Sequence, residues 1–410
     1  MERVIVTDYS DFLPDRPAIP VPPEMTGSRT PLEGVVDFME MLAIAPSEGP
    51  WPDLSLDQTS LMIYTSGTTG HPKGAMLTYR NAIYKAAAGS ISNGLTLEDI
   101  SLAAMPLSHI AGLLVGLNIV IYQGMTVVLL HRFDPDVAIQ AIEKYGCTWW
   151  YSVAPMNRAI LDRLGKDTPR LTSLKHNLCT SFGIPLTEDM AQQWNELTNG
   201  CVIHEASYGL TETHTGDTFM PRDAIRWGTV GKPVNGTEIH IVDPETKEEC
   251  PPNSAGEITV RSPGVFNGYW QAPEVTAITV RDGYVLTGDV GKLDQDGYLY
   301  FLGRYKEMIK VSGYSVFPED VESLLIRHPN IAQVAVIGIP HPHHGEVVKA
   351  YVVTKPGETI SSEEIINWAK DRMAHYKYPR EVEVLKALPA TSTGKILRRI
   401  LKERHKASFG

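Results

Sequence analysis

The sequence predicts an α/β protein. A large N-terminal body, with mainly parallel sheet layers, helices and a small antiparallel β unit, precedes a small α+β C-terminal lid domain. Three observations carry that expectation. Short apolar runs alternate with helical patterns from Ser60 to Ser207, as in strand–helix–strand units. After Thr211 the texture changes to short strands separated by turn signals. From Arg304 onward the charge changes sign: 17 Lys/Arg stand against 12 Asp/Glu, net +5, while the remainder carries −16. Domains are therefore expected at 1–303 and 304–410.

The elements follow in order. "RVIVT" near the start looks like an interior sheet strand, and a short helix is expected near Leu32–Ala43 within a proline-rich connection. Strand candidates are "LMIYT", "ISLAAM", "MTVVLL", "CTWWYS", "KHNLCTS" and "CVIHEAS". Helices are read at "PDVAIQAIEKYG" and "TEDMAQQWNELTNG", the second closed by its glycine. "IAGLLVGLNIVIY" reads as a buried helix, being too short and glycine-broken to span a bilayer. Trp149 and Trp150 read as core. The antiparallel unit comprises "GTEIHIVDPETK", "AGEITVRSPG" and "DGYVLTGDVGKLDQDGYLYFLGR". The last domain reads as a hairpin with a helix from Pro318, strands "IAQVAVIGI" and "EVVKAYVV", the helix "SSEEIINWAKDRM" and a final basic helix.

At 410 residues, 43% hydrophobic and 21% charged, the chain is composed like an ordinary soluble protein. Its net charge of −11 argues against bulk nucleic-acid binding. The N-terminus lacks a leader pattern, and Cys147, Cys179, Cys201 and Cys250 have neither metal nor redox spacing. A cytoplasmic protein with free thiols is expected, with no transmembrane segment, touching membranes only to collect a substrate.

Five motifs carry chemistry. "YTSGTTGHPKGA" packs Thr65, Ser66, Gly67, Thr68, Thr69, Gly70 and Lys73 behind a strand. Backbone N–H groups, hydroxyls and an ammonium suit phosphate oxygens. It is not a Walker loop, because Pro72 precedes the lysine and Gly74 follows it. "SYGLTET" offers an aromatic face at Tyr208, a hydroxyl at Thr211 and a carboxylate at Glu212, which suits Mg²⁺ between carboxylate and phosphate. "VLTGDVG" places Asp289 between glycines, where it can accept from ribose hydroxyls or close an Asx-turn. "GRYKEMIKVSGYSVFPEDVE" holds Arg304 and a hairpin glycine, Gly313. "LPATSTGKILRRI" places Lys395 on a flexible loop, where it can be delivered as a point charge.

In this order the motifs resemble the adenylate-forming superfamily of acyl- and aryl-CoA synthetases, luciferases and peptide-synthetase adenylation domains. The resemblance runs from about Ser60 to His405. "KEMIKVSGYSVFP" and "MPLSHIAGLL" look most like fatty-acyl-CoA ligases. It implies an ATP-dependent carboxylate–CoA ligase working through an acyl-adenylate on a medium- or long-chain fatty acid. An aryl or short-chain acid ligase, and a nucleotide-binding fragment without full turnover, stay open. ATP and CoA are the implied substrates and Mg²⁺ the implied ion. Thr65 to Lys73 would close over the β- and γ-phosphates. Tyr208 and Gly209 would lie at adenine, Thr211 at the α-phosphate, and Asp289 and Arg304 at the ribose. Lys306 matches the hinge, and Lys395 would bridge α-phosphate and carboxylate. Ser312, Gly313 and Tyr314 would meet the pantetheine arm of CoA after the lid rotates. His109 falls beside the acyl tunnel, though it reads equally as a satisfied core histidine.

Two departures stand out. The family often has Gly-Gly-Ala ahead of the adenine site. Here "SFGIPL" keeps only Gly183. Only 63 residues precede Tyr64, fewer than the family has, which implies an N-terminally shortened body whose exposed edge an oligomer contact could cover. The cluster His341, His343 and His344 reads as a turn before a strand rather than a metal site.

Overall fold

The computed structural model describes residues 4–27, 32–44, 52–65, 72–164, 170–182, 184–391 and 395–407. A five-stranded, all-parallel sheet forms the centre. In spatial order its strands are Thr126–Leu129, Ile100–Ala103, Trp149–Val153, His176–Thr180 and Val202–Glu205. Each coincides with an apolar run expected from sequence. Trp149–Val153 is buried along its whole length, as a strand covered on both faces must be.

Alternation along these strands divides two cores. Trp150, Cys179 and Ile203 face the helices Pro135–Tyr145, Ala154–Leu164 and Glu188–Thr198. Trp149, Tyr151, Val153 and Leu178 face the helix Tyr79–Ser92 and the segment after Ile110. Trp150 stacks near Phe133 and lies 5.9 Å from Trp194. Truncating Trp194 to alanine would cost about 3–5 kcal/mol. Local chemistry sets the helix ends. Asp134 accepts from the N–H groups of Asp136 and Val137 ahead of Pro135, and Gly146 closes that helix in the left-handed region.

Strand order reverses at Ile100–Ala103. The chain first adds Thr126–Leu129 on one side, then returns to place Trp149–Val153 on the other. Ligands of open parallel sheets bind outside the carboxyl ends at such a point. Segment 105–111, residues 180–182 and residues 205–212 emerge there.

An antiparallel unit follows, with strands Glu238–Val242, Gly256–Arg261, Val280–Arg281, Tyr284–Leu293 and Leu299–Arg304. The C-terminal unit pairs Ile331–His341 with Gly345–Thr354. It adds the hairpin Ile309–Val311/Tyr314–Val316 and the strand Glu381–Val384. The helices Pro318–Leu325, Ser362–Lys370 and Arg398–Ala407 complete it. Among the described residues no helix is long and apolar enough to cross a membrane. The four cysteines are unpaired, three of them buried.

Several expectations are corrected. "RVIVT" is not an interior strand of the main sheet. Among the described residues its strand is Ile5–Val6, paired with Val36–Asp37 in a two-stranded sheet, and Ile5 is exposed. "LMIYT" joins no parallel sheet either: Thr59–Thr65 forms an antiparallel hairpin with Lys73–Thr78. The short helix begins at Phe38, not Leu32. The segment read as one buried helix contains a π-helical turn, Leu114–Asn118, and ends with Ile121 and Tyr122 exposed. The helix Glu188–Thr198 is closed by Asn199 in the left-handed region, one residue before the expected Gly200.

Candidate active site

A cleft of about 1120 Å³ opens at the carboxyl ends of the parallel sheet. Four parts of the chain line it. The sheet ends contribute His109, Tyr208, Gly209, Thr211 and Glu212. The antiparallel unit contributes Asp289 and Arg304, with Lys306 beside them. The last loop contributes Thr391 and Lys395. Thr65 and Lys73 line it from the hairpin. Residues expected at distant sequence positions thus share one space. Ser66, Gly67, Thr68, Thr69, Gly70 and Gly183 lie outside the described residues.

Asp289 and Arg304 are cross-strand neighbours, with Arg304 Nε 2.8 Å from Asp289 Oδ1. The Tyr208 hydroxyl donates to Asp289 Oδ2 at 2.8 Å. Burial pushes the Asp289 carboxyl up, and the Arg304 guanidinium opposes that rise. Burial likewise pushes the Tyr208 phenol up, so it stays a donor. The Tyr208 ring leans on Phe301, with centroids 6.1 Å apart. Gly209 is required by close approach: a Cβ there would sit 2.6 Å from the Gly216 nitrogen.

Glu212 lies in the short 3₁₀ turn Thr211–Thr213. Its Oε1 accepts from the Tyr269 hydroxyl at 2.6 Å, and Lys73 Nζ stands 4.5 Å from the Tyr269 ring centroid. Burial and the Glu212 charge push the Tyr269 phenol up. Behind this turn, His214, Thr215 and Gly216 all take positive φ. Lys85 pins that strained run. Its Nζ lies 2.6 Å from Asp217 Oδ1 and donates to the Gly216 carbonyl at 3.1 Å, while the Thr213 hydroxyl donates to Asp217. Both charged side chains of this pair are fully buried. Burial alone would neutralise them, and their mutual attraction opposes it.

His109 is the N-cap of Ile110–Leu113; its Nδ1 accepts from the Ala111 N–H at 3.3 Å. Burial, then the Lys395 charge, lower its pKa and favour the neutral ring. Lys395 is held by its N–H donating to Thr391 Oγ1 at 3.1 Å and by its carbonyl accepting from the Thr391 N–H at 2.9 Å. Burial lowers the Lys395 pKa, reinforced by Arg304 and opposed by Glu307 and Asp289.

The hairpin residues Ser312, Gly313 and Tyr314 do not line the cleft. Ser312 and Gly313 form its left-handed turn. Ser312 Oγ lies 2.7 Å from His344 Nδ1, and Tyr314 stacks on Tyr376 with centroids 4.3 Å apart. His341 stacks on His344. Among the described residues no group of three His, Cys, Asp or Glu could hold a metal alone.

Sequence reasoning missed Tyr269, the Lys85–Asp217 pair and Glu205. Glu205 also lines the cleft and accepts from both the N–H and the hydroxyl of Ser181. Each depends on partners many residues away, so local pattern carried no signal for them.

Residues 6–270 match the family described as AMP-binding enzyme, and residues 320–395 match its C-terminal domain. A feruloyl-CoA synthase of Amycolatopsis sp is 36% identical over 365 residues, covering 88% of this chain and 73% of the relative. A long-chain-fatty-acid–CoA ligase of Bacillus subtilis (strain 168) is 35% identical over 374 residues, covering 89% of this chain and 64% of the relative. The ATP-bound crystal structure of MatB from Rhodopseudomonas palustris superposes with a TM-score of 0.83. It is 31% identical and covers 92% of this chain and 76% of that one. The apo form of MatB gives 0.68.

Proposed function

The chain belongs to the AMP-binding enzyme family, the adenylate-forming superfamily its motifs resemble, and from that premise we propose that it is an ATP-dependent carboxylate–CoA ligase. The observation carrying this reading is the single cleft that gathers Tyr208, Glu212, Asp289, Arg304 and Lys395.

A carboxylate is a poor electrophile because its leaving group would be oxide. Attack of the carboxylate on the α-phosphate of ATP breaks the α–β bond, giving acyl-adenylate and pyrophosphate. Thiol attack then forms the thioester and releases AMP. The reacting groups are all anionic, so positioning and charge neutralisation dominate. In this reading Tyr208 and Gly209 carry adenine, and Asp289 with Arg304 receives the ribose hydroxyls. Thr65 to Gly70 and Lys73 hold the β- and γ-phosphates, and Thr211 meets the α-phosphate. Lys395 bridges α-phosphate and carboxylate, and neutral His109 lies beside the acyl group.

Glu212 fits Mg²⁺ as a single carboxylate beside hydroxyl donors, since this ion is usually held by one or two carboxylates plus phosphate oxygens. When bound, the ion supplies neutralisation of phosphate charge. Tyr269 orients the Glu212 carboxylate for that task.

The body spans 1–303 and the lid 304–410, with Lys306 at the hinge. Lys395 lines the cleft while Ser312, Gly313 and Tyr314 stand outside it, which suits an adenylating arrangement. Lid rotation would then exchange the Lys395 loop for the hairpin, against which CoA would lie.

For the acid, a medium- or long-chain fatty acid is one reading, in keeping with the long-chain ligase among the relatives. A polar floor favours a second. The Tyr151 and Thr180 hydroxyls are bonded at 2.9 Å, and Glu205 lies on the next strand. This suits an acid that carries a hydrogen-bonding group, as an aryl acid can.

The test is acid-dependent acyl-adenylate formation without CoA, trapped by hydroxylamine. Hydroxamate that depends on both ATP and an acid is expected. ATP binding with no hydroxamate from any acid in a broad panel would leave only a nucleotide-binding fragment.

A further inference from the structure

Glu205 is a carboxylate to which the ligase reading gives no part in the chemistry. It ends the last strand of the parallel sheet, in register with Cys179 and beside Thr180. It lines the cleft. Its Oε1 accepts from the Ser181 N–H at 3.1 Å and its Oε2 from the Ser181 hydroxyl at 2.5 Å. Among the described residues no salt bridge of 4 Å or less reaches it. A carboxylate has about four acceptor positions, and Ser181 fills two. Burial pushes its carboxyl up to about 7, as expected for an acid held without a counter-charge. Uncompensated carboxylates of this kind cluster at functional sites.

Its surroundings point to the acid rather than the nucleotide. The nucleotide end is marked by Asp289 and Arg304 on the antiparallel unit. Glu205 instead belongs to the parallel sheet with Tyr151 and Thr180, and the same cleft is lined by the apolar Pro106, Ile110 and Phe182. One hydroxyl of the Tyr151–Thr180 pair donates to the other, and Ser181 gives its proton to Glu205 while its oxygen accepts from the Leu186 N–H at 2.9 Å. Among the described residues only Ser181 donates to the Glu205 carboxylate, which leaves acceptor positions open toward the cleft.

We infer that Glu205 selects the acid, by accepting a hydrogen bond from a hydroxyl or ammonium group on the part of the acid remote from its carboxylate. The inference rests on the ligase reading and narrows its substrate class to donor-bearing acids. A plain alkyl chain would leave the Glu205 acceptors buried and unpaired, which such sites reject strongly.

The test uses matched acids differing only in that donor: 3-phenylpropenoic against 4-hydroxyphenylpropenoic acid, and octanoic against 8-hydroxyoctanoic and 8-aminooctanoic acids. Pyrophosphate release gives kcat/KM for each with wild type, Glu205→Gln and Glu205→Leu. Wild type is expected to prefer the donor-bearing member of at least one pair by more than about tenfold. The hydroxy and amino arms tell which donor is read. Glu205→Leu should bring the ratio to about one or invert it. Glu205→Gln, which can still bond Ser181, should lower it while keeping the wild-type melting temperature. Three results overturn the inference: no preference in any pair, a preference that survives both substitutions, or a loss that appears only as a raised KM for ATP with every acid. The last would mean that Glu205 reads the adenine amine. If no acid releases pyrophosphate at all, the ligase reading falls and takes this inference with it.

Discussion

Asp289 and Arg304 face each other across adjacent antiparallel strands, 2.8 Å apart, with the Asp289 carboxylate buried and also bonded to Tyr208. Both residues belong to the antiparallel unit, Arg304 as its last strand residue, and in the proposed reading they receive the ribose hydroxyls. Asp289→Ala removes the acceptor of two neighbours. ATP affinity by calorimetry should fall about 10–100-fold, as for a charged hydrogen bond worth about 1.5–3 kcal/mol. Unchanged affinity would mean that the ribose lies elsewhere.

Tyr269→Phe deletes the hydroxyl that donates to Glu212 and little else. The Mg²⁺ concentration giving half-maximal pyrophosphate release should rise roughly tenfold, by the same hydrogen-bond magnitude, while KM for the acid stays put. A shift confined to the acid would move Tyr269 out of the phosphate end.

Lys85→Met strands Asp217 as an unpaired buried charge and should lower stability in urea by about 3–5 kcal/mol. Lys85→Met with Asp217→Leu should recover much of that loss, because the pair is replaced by apolar volume. A single variant as stable as wild type would show that the pair holds nothing in place.

The pH dependence of stability has a defined sign at Glu319. Burial raises its carboxyl to about 7, Arg398 at 3.2 Å opposes the rise, and Glu322 and Glu307 add to it. Between the unfolded value of about 4.3 and about 7, the folded chain holds more protons at this group than the unfolded chain. Its contribution is therefore full below the unfolded value and is lost as pH rises through about 7. Glu319→Gln should melt with a shallower fall than wild type between pH 5 and 7.5. Parallel curves would contradict this.

Much of the fold was legible because each central strand is a compact apolar run bounded by helix signals. The pairing of "LMIYT" was not legible from that run, which looks like its neighbours. Residues 66–72 give the reason: a connection this short permits a hairpin, whereas a parallel crossover needs a dozen or more residues. The end of the helix at Asn199 was misread for a related reason, since asparagine tolerates the left-handed region almost as glycine does. The residues proposed for the nucleotide were named from ordered motifs, and Tyr208, Thr211, Glu212, Asp289 and Arg304 among them line one cleft. Tyr269 was not legible, since its partner Glu212 lies 57 residues away, nor was Lys85, which meets Asp217 across 132 residues. Glu205 sits in a strand run that reads as core, and only the sheet's carboxyl edge turns it toward the cleft.

The central claim is that Lys395 acts on the first half-reaction from a loop that meets the body's nucleotide residues. The most direct measurement is acid-dependent pyrophosphate release by Lys395→Ala, alongside thioester formation from supplied acyl-adenylate and CoA. Release should fall about 10²–10³-fold, as for loss of one transition-state charge contact, while thioester formation from the supplied adenylate persists. Full adenylation by Lys395→Ala would contradict the account.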